Sequence, residues 1–145
     1  MAVNTRAIAA SPESVFRVLG NGWLFPVWVV GASRMRDVDE SWPGVGARIH
    51  HSVGAWPALI DDYTELLEWD PPRRVAMRAR LWPIGEATVE LDVEPVPGGS
   101  TVTMTETPTS GPFAMAPRPA VDLSIRMRNV ETLRRLAYLA EGHAD

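Results

Sequence analysis

The sequence predicts an α+β fold: a curled antiparallel sheet of six to seven strands wrapped around one long C-terminal helix, with two short helices after the first strand. Three observations carry this expectation. Between about residues 30 and 107 apolar and polar residues alternate with period two, interrupted by turn residues every 8 to 12 positions. From about 119 to 141 the apolar spacing changes to three and four. The chain has 145 residues, 46% of them hydrophobic, which is enough to bury a core in a single domain spanning 1–145.

Residues 2–9 read as the first strand. In "SPES", Ser11 is suited to cap a helix and Pro12 to occupy its first position, while Val15, Phe16, Val18 and Leu19 form its apolar side. "GNG" at 20–22 stops it, and Trp23 to Trp28, broken by Pro26, reads as a second short helix. Strands are expected at 31–39, 46–54, 58–68, 73–82, 85–95 and 100–107. In the last three, Val75, Met77, Val89, Leu91, Val102 and Met104 form one apolar face. Arg78 and Arg80 are expected to meet Glu90 and Asp92 on the wet face. The Pro- and Gly-rich passage "PTSGPFAMAPRP" separates the sheet from the final helix. That helix is expected to bury Leu123, Met127, Val130, Leu133, Ala137 and Ala140, and Gly142 to end it.

Charge and composition exclude several functions. The net charge of −4 is made of interspersed signs, with no basic face for a nucleic acid. With no cysteine there is no disulfide or thiolate chemistry. The longest apolar run, "WLFPVWVVGA", is too short for membrane insertion, and the first residues lack the build of a secretory leader, so a cytoplasmic protein is expected. No phosphate-binding loop or nucleotide motif is present, and no cofactor is expected.

The order of elements resembles the helix-grip proteins, the START-related superfamily also called polyketide cyclase/dehydrase-like or SRPBCC. The resemblance rests on "SPESVFRVL", "VVGASRMRDVDESWPGVGARIHHSVG", "LEWDPPRRVAMRAR", "GGSTVTMTET" and "RNVETLRRLAYLAEG", and spans nearly the whole length. It implies a cavity between the concave face of the sheet and the long helix, taking a small hydrophobic or aromatic molecule. It implies as an alternative an enzyme of the cyclase/dehydrase kind. A homodimer is compatible with either.

Inward polar residues are then the candidates for chemistry. His50 and His51 are adjacent on one strand and point to opposite faces, so they cannot jointly clamp a metal ion, and no metal site is expected. Ile49 and Val53 share parity with His51, which makes His51 the inward residue and His50 the wet one. A hairpin through Gly54–Pro57 that pairs residues summing to about 112 sets His51 opposite Asp61 on the inner side. Such a His–Asp pair either orients a ligand or serves as a general base. Glu106 continues the parity of Val102 and Met104, and is expected either to pair with Arg126 or Arg128 or to bind a ligand. Tyr63 shares the parity of Asp61 and is a candidate to offer its hydroxyl to a bound molecule. Trp23, Trp28 and Trp56 are candidates to close the mouth of the cavity, with Met77, Met104 and Met127 along its wall. The catalytic candidates are His51, Asp61 and Glu106.

Overall fold

Ser11 makes the first break in the chain that the fold uses. Its side chain accepts from the Ser14 amide at 3.2 Å, Pro12 occupies the first turn, and α1 runs from Pro12 to Leu19. Before it lies β1 (Ala2–Ile8). After it a 3₁₀ turn (Gly22–Leu24) leads into the single-turn α2 (Phe25–Trp28). The strands follow as β2 (Ala32–Val38), β3 (Arg48–Val53), β4 (Ile60–Asp70), β5 (Arg74–Leu81), β6 (Gly85–Val96) and β7 (Gly99–Ser110). The short α3 (Gly111–Met115) and the long α4 (Arg118–Gly142) complete the chain. This computed structural model describes residues 1–53 and 59–142. The expected hairpin at Gly54–Pro57, with Trp56, and the third histidine, His143, lie outside the described residues.

All seven strands form one antiparallel sheet in the order β1-β7-β6-β5-β4-β3-β2. It is curled but not closed, and it is the helix-grip arrangement that the sequence predicts. Irregular register within the β2–β3 and β4–β5 pairs, the latter between Leu66 and Glu68, increases local twist and helps the sheet curl. Gly85 opens β6 at φ +145°, where an added Cβ would stand 2.2 Å from the Ser110 carbonyl oxygen. Only glycine fits that approach.

The concave face carries the core. Leu66, Val75, Met77, Val89, Leu91, Val102 and Met104 meet Leu133, Leu136, Ala137 and Ala140 of α4, with Phe16 and Leu19 of α1 closing one end. The parity expected for β5, β6 and β7 is the observed one. The wet-face ion pairs differ in partner: the register sets Arg74 opposite Asp92 and Arg80 opposite Glu86. Arg74 therefore holds Asp92 at 2.9 Å and Glu90 at 3.3 Å.

The buried stripe of α4 also differs from the expected one. Leu133, Ala137 and Ala140 are buried, but Leu123, Met127 and Val130 face solvent, Met127 at 69% exposure. Their places are taken by Val121, Ile125, Asn129 and Thr132. The reason is that two buried positions on this face are polar and satisfied in place. Thr132 Oγ1 accepts from the Val30 amide at 3.2 Å, and Asn129 donates to Glu106. An apolar count passes over such positions and follows the neighbouring row instead. Among the described residues no helix is long and apolar enough to cross a membrane.

Candidate functional site

At one end of the concave face the packing leaves a cavity of about 210 Å³. Phe25 and Val29–Ala32 come from α2 and the segment after it, His51 and Val53 from β3, and Thr64 from β4. The β5–β6 hairpin adds Ala79, Arg80, Leu81, Ile84, Gly85, Glu86 and Ala87, β7 adds Glu106, and Phe113 and Arg128 come from α3 and α4. A smaller chamber of about 80 Å³ extends it toward Trp28, Met77, Val89, Met104, Asn129 and Thr132. Phe25, Val29, Thr64, Ala79, Glu106 and Arg128 belong to both walls, so the two volumes adjoin. The walls are predominantly apolar, as small-molecule sites generally are.

The polar wall groups are few, and most are already engaged. Glu106 is 3% exposed. One Arg128 nitrogen lies 2.5 Å from both of its carboxylate oxygens, and Asn129 Nδ2 donates to Oε1 at 3.2 Å. Of the two pairings expected for Glu106, the one with Arg128 forms. At the other end of the cavity Arg80 lies 3.6 Å from Asp62 and 3.8 Å from Glu86.

His51 is 3% exposed and stacks on Phe25, with ring centroids 5.4 Å apart and planes 15° from parallel. Its Nε2 lies 2.8 Å from Thr64 Oγ1, and Nδ1 is buried without a partner among the described residues. Burial holds the imidazole at a pKa of about 4, with Arg36 and His50 acting in the same direction and Asp62 opposing them. The ring is therefore neutral near pH 7.

Asp61 does not face His51. The β3–β4 register pairs His51 with Asp62, His50 with Tyr63 and Ser52 with Asp61, so paired numbers sum to 113 instead of 112. A slip of one residue exchanges the two faces of a strand. Asp61 points outward, where the Ser52 hydroxyl, with Arg36 and Arg34, holds its carboxyl below the usual range. Tyr63 is turned out with it, under the Arg48 guanidinium at 4.1 Å from the ring centroid. Asp62 is the inward acid, but Oδ1 accepts from the Tyr63 amide at 3.0 Å and Oδ2 from the Trp82 amide at 2.8 Å. It braces the start of the β5–β6 turn and makes no hydrogen bond to His51. Asp62→Ala should accordingly cost about 1–3 kcal/mol, the usual cost of leaving buried donors unmet, and Asp61→Ala less than about 0.5 kcal/mol. Urea melts of the two variants check the order, and the reverse order would contradict the register.

Of the other expected wall residues, Trp28, Met77 and Met104 line the smaller chamber. Trp23 does not: it is more than half exposed in an outer groove with Trp42, because the 3₁₀ turn faces it away from the sheet. Met127 lies on the solvent side of α4, one position before the inward-reaching Arg128. The site residues that sequence reasoning passed over are Phe25, Thr64, Arg80, Asn129 and Thr132. Thr64 was within reach, since it shares parity with Leu66, whereas Glu65 marks the wet face.

A family model described as polyketide cyclase / dehydrase and lipid transport matches residues 2–141. A comparison with curated proteins finds no match. Among solved structures, a Rhodobacter sphaeroides protein is similar at 26% identity and TM-score 0.70, with 94% of this chain and 89% of that one covered. One from Chromobacterium violaceum is similar at 18% identity and TM-score 0.72, with 96% of each covered. The di-domain ARO/CYC protein StfQ of the steffimycin biosynthetic pathway is similar at 13% identity and TM-score 0.77, covering 98% of this chain and 50% of that one. The last two likenesses bear on the fold alone. With the family model matched along nearly its full length and the seven-stranded helix-grip architecture in place, this chain belongs to the polyketide cyclase/dehydrase and lipid transport family.

Proposed function

We propose that the protein binds a small, largely apolar or aromatic molecule in the cavity between the sheet, α2 and α4. The observation that supports this reading is a cavity of about 210 Å³ with mostly apolar walls, in which the charged groups are already paired with one another. Taking a liquid-water share of about 30 Å³, the main chamber equals roughly seven waters, the scale of a one- or two-ring molecule. Apolar burial at about 25 cal/mol per Å² then supplies most of the affinity.

Acid–base catalysis of the cyclase/dehydrase kind is the weaker reading. The His51–Asp61 pair it relied on is absent, and an imidazole with a pKa of about 4 is a poor proton acceptor at neutral pH. Titration with 2-isopropylnaphthalene, followed by its fluorescence, tests the binding reading. A micromolar-range Kd is expected for the wild type. Ala79→Trp, which fills the shared wall of both chambers, should abolish binding while circular dichroism shows the fold retained. Undiminished binding in that variant would place the probe elsewhere and remove the support for this site.

A further inference from the structure

Two wall groups carry a buried nitrogen with no hydrogen bond among the described residues, Arg80 Nε and His51 Nδ1; Arg80 has acids at 3.6 and 3.8 Å, so His51 is the one left without a counterpart. His51 is part of the cavity wall, and its Nδ1 is buried with no hydrogen bond among the described residues. Which nitrogen holds the proton follows from its neighbour. Thr64 Oγ1, 2.8 Å from Nε2, has no other hydrogen bond among the described residues. If Nε2 carried the proton, the Thr64 hydroxyl hydrogen and the Nδ1 lone pair would both be left unmet. If Nδ1 carries it, Thr64 donates to Nε2 and a single N–H is left over. Each buried polar group left unmet is destabilising, so the second arrangement wins. The nearby inward acid, Asp62, makes no hydrogen bond to this nitrogen; its two oxygens accept from the Tyr63 and Trp82 amides.

Charge excludes the other head groups. Two cations of the wall, Arg80 and Arg128, stand against two anions, Glu86 and Glu106, and each cation lies within ion-pair distance of an acid. An ionised ligand would lose its hydration with no counter-charge to replace it. The N–H of His51 calls for an acceptor, which a carbonyl oxygen supplies without adding a donor of its own.

We infer that the ligand is a compact, neutral carbonyl compound, a one- or two-ring ketone or its equivalent, whose oxygen accepts a hydrogen bond from His51 Nδ1–H. This rests on the cavity-binding reading and adds the chemical class of what is bound. The His51 imidazole is then a positioning donor, held by the Phe25 stack and the Thr64 hydroxyl, and not a base.

Two measurements on the wild-type protein and one on a variant test it. In protein labelled with ¹⁵N-histidine, Nδ1 of His51 should resonate as the protonated ring nitrogen and Nε2 as the bare one. The reverse pattern overturns the inference. In the same protein 2-acetylnaphthalene should bind about tenfold more tightly than 2-isopropylnaphthalene, its isostere without an acceptor. His51→Phe keeps the stack on Phe25 and should bind the two equally. Equal binding in the wild type, or a ketone preference that persists in His51→Phe, overturns the inference while leaving the cavity as the binding site. Absence of binding by both probes overturns the cavity reading and this inference with it. Because the tautomer and the preference are read on the wild type, failure of the variant to fold leaves both decisive.

Discussion

Arg128→Ala is expected to destabilise the protein by about 3 kcal/mol or more, and Glu106→Ala by clearly less. The two residues form one ion pair, but they are not equivalent. The Glu106 side chain is 4% exposed and that of Arg128 38%. Removing the arginine strands a carboxylate inside the sheet–helix junction with one remaining donor, Asn129 Nδ2 at 3.2 Å. Breaking a buried pair by deleting one partner typically costs about 3–5 kcal/mol, because the other charge stays where water cannot reach it. Removing the glutamate strands a guanidinium that already reaches solvent and can turn further out on its flexible stem. The double variant Arg128→Ala/Glu106→Ala should therefore be more stable than Arg128→Ala alone, a change of sign that additive losses cannot produce. Denaturant midpoints of the four proteins at pH 7 decide the matter. A double variant weaker than both singles would mean that the pair contributes packing and not compensated charge.

The parts of the fold that were legible in the sequence were those where one face of an element is apolar without exception. In β6, Ala87, Val89, Leu91 and Val93 alternate with Thr88, Glu90, Asp92 and Glu94, and no other register buries the former. β4 offers no such contrast at its start. "IDDY" places an acid on either face, and only Thr64 and Leu66 further along favour Asp62 as the inward residue. The choice between Asp61 and Asp62 rests on the turn length between β3 and β4, which composition does not fix. The first half of α4 is ambiguous in the same way. Val121 and Ile125 form one apolar row and Leu123, Met127 and Val130 another, so spacing alone does not say which one meets the sheet. The row that does so carries Asn129 and Thr132, whose partners Glu106 and the Val30 amide come from distant parts of the chain. The few polar residues of the candidate site have long-range partners of this sort, the kind least visible to a local pattern.

Acidification should weaken the fold well before the surface carboxylates titrate, and His51 is the reason. In the unfolded chain its imidazole has the ordinary value of 6.5, whereas in the folded protein burial lowers it to about 4, reinforced by Arg36 and His50 and opposed by Asp62. Between those two values the unfolded chain holds a proton on this ring that the folded chain does not. Each proton taken up therefore favours unfolding, and stability falls as pH falls through this window. The slope approaches about 1.4 kcal/mol per pH unit, which over the full interval amounts to about 3 kcal/mol. Above pH 6.5 both states are neutral and the effect vanishes; below pH 4 both are charged and it stops growing. The carboxylates of Asp39 and Asp61 are held below their usual 3.8 by hydrogen bonds from His50 and Ser52 respectively, so their contributions are lost only at lower pH. The two windows are thus separable. Urea midpoints measured at pH 7, 6, 5 and 4.5 should decline steadily in the wild type and stay nearly level in His51→Phe, which keeps a flat ring against Phe25 but has nothing to protonate. An equal decline in both proteins would assign the acid sensitivity to other groups. It would also remove the neutral, buried state of His51 on which its role as a hydrogen-bond donor to a ligand depends.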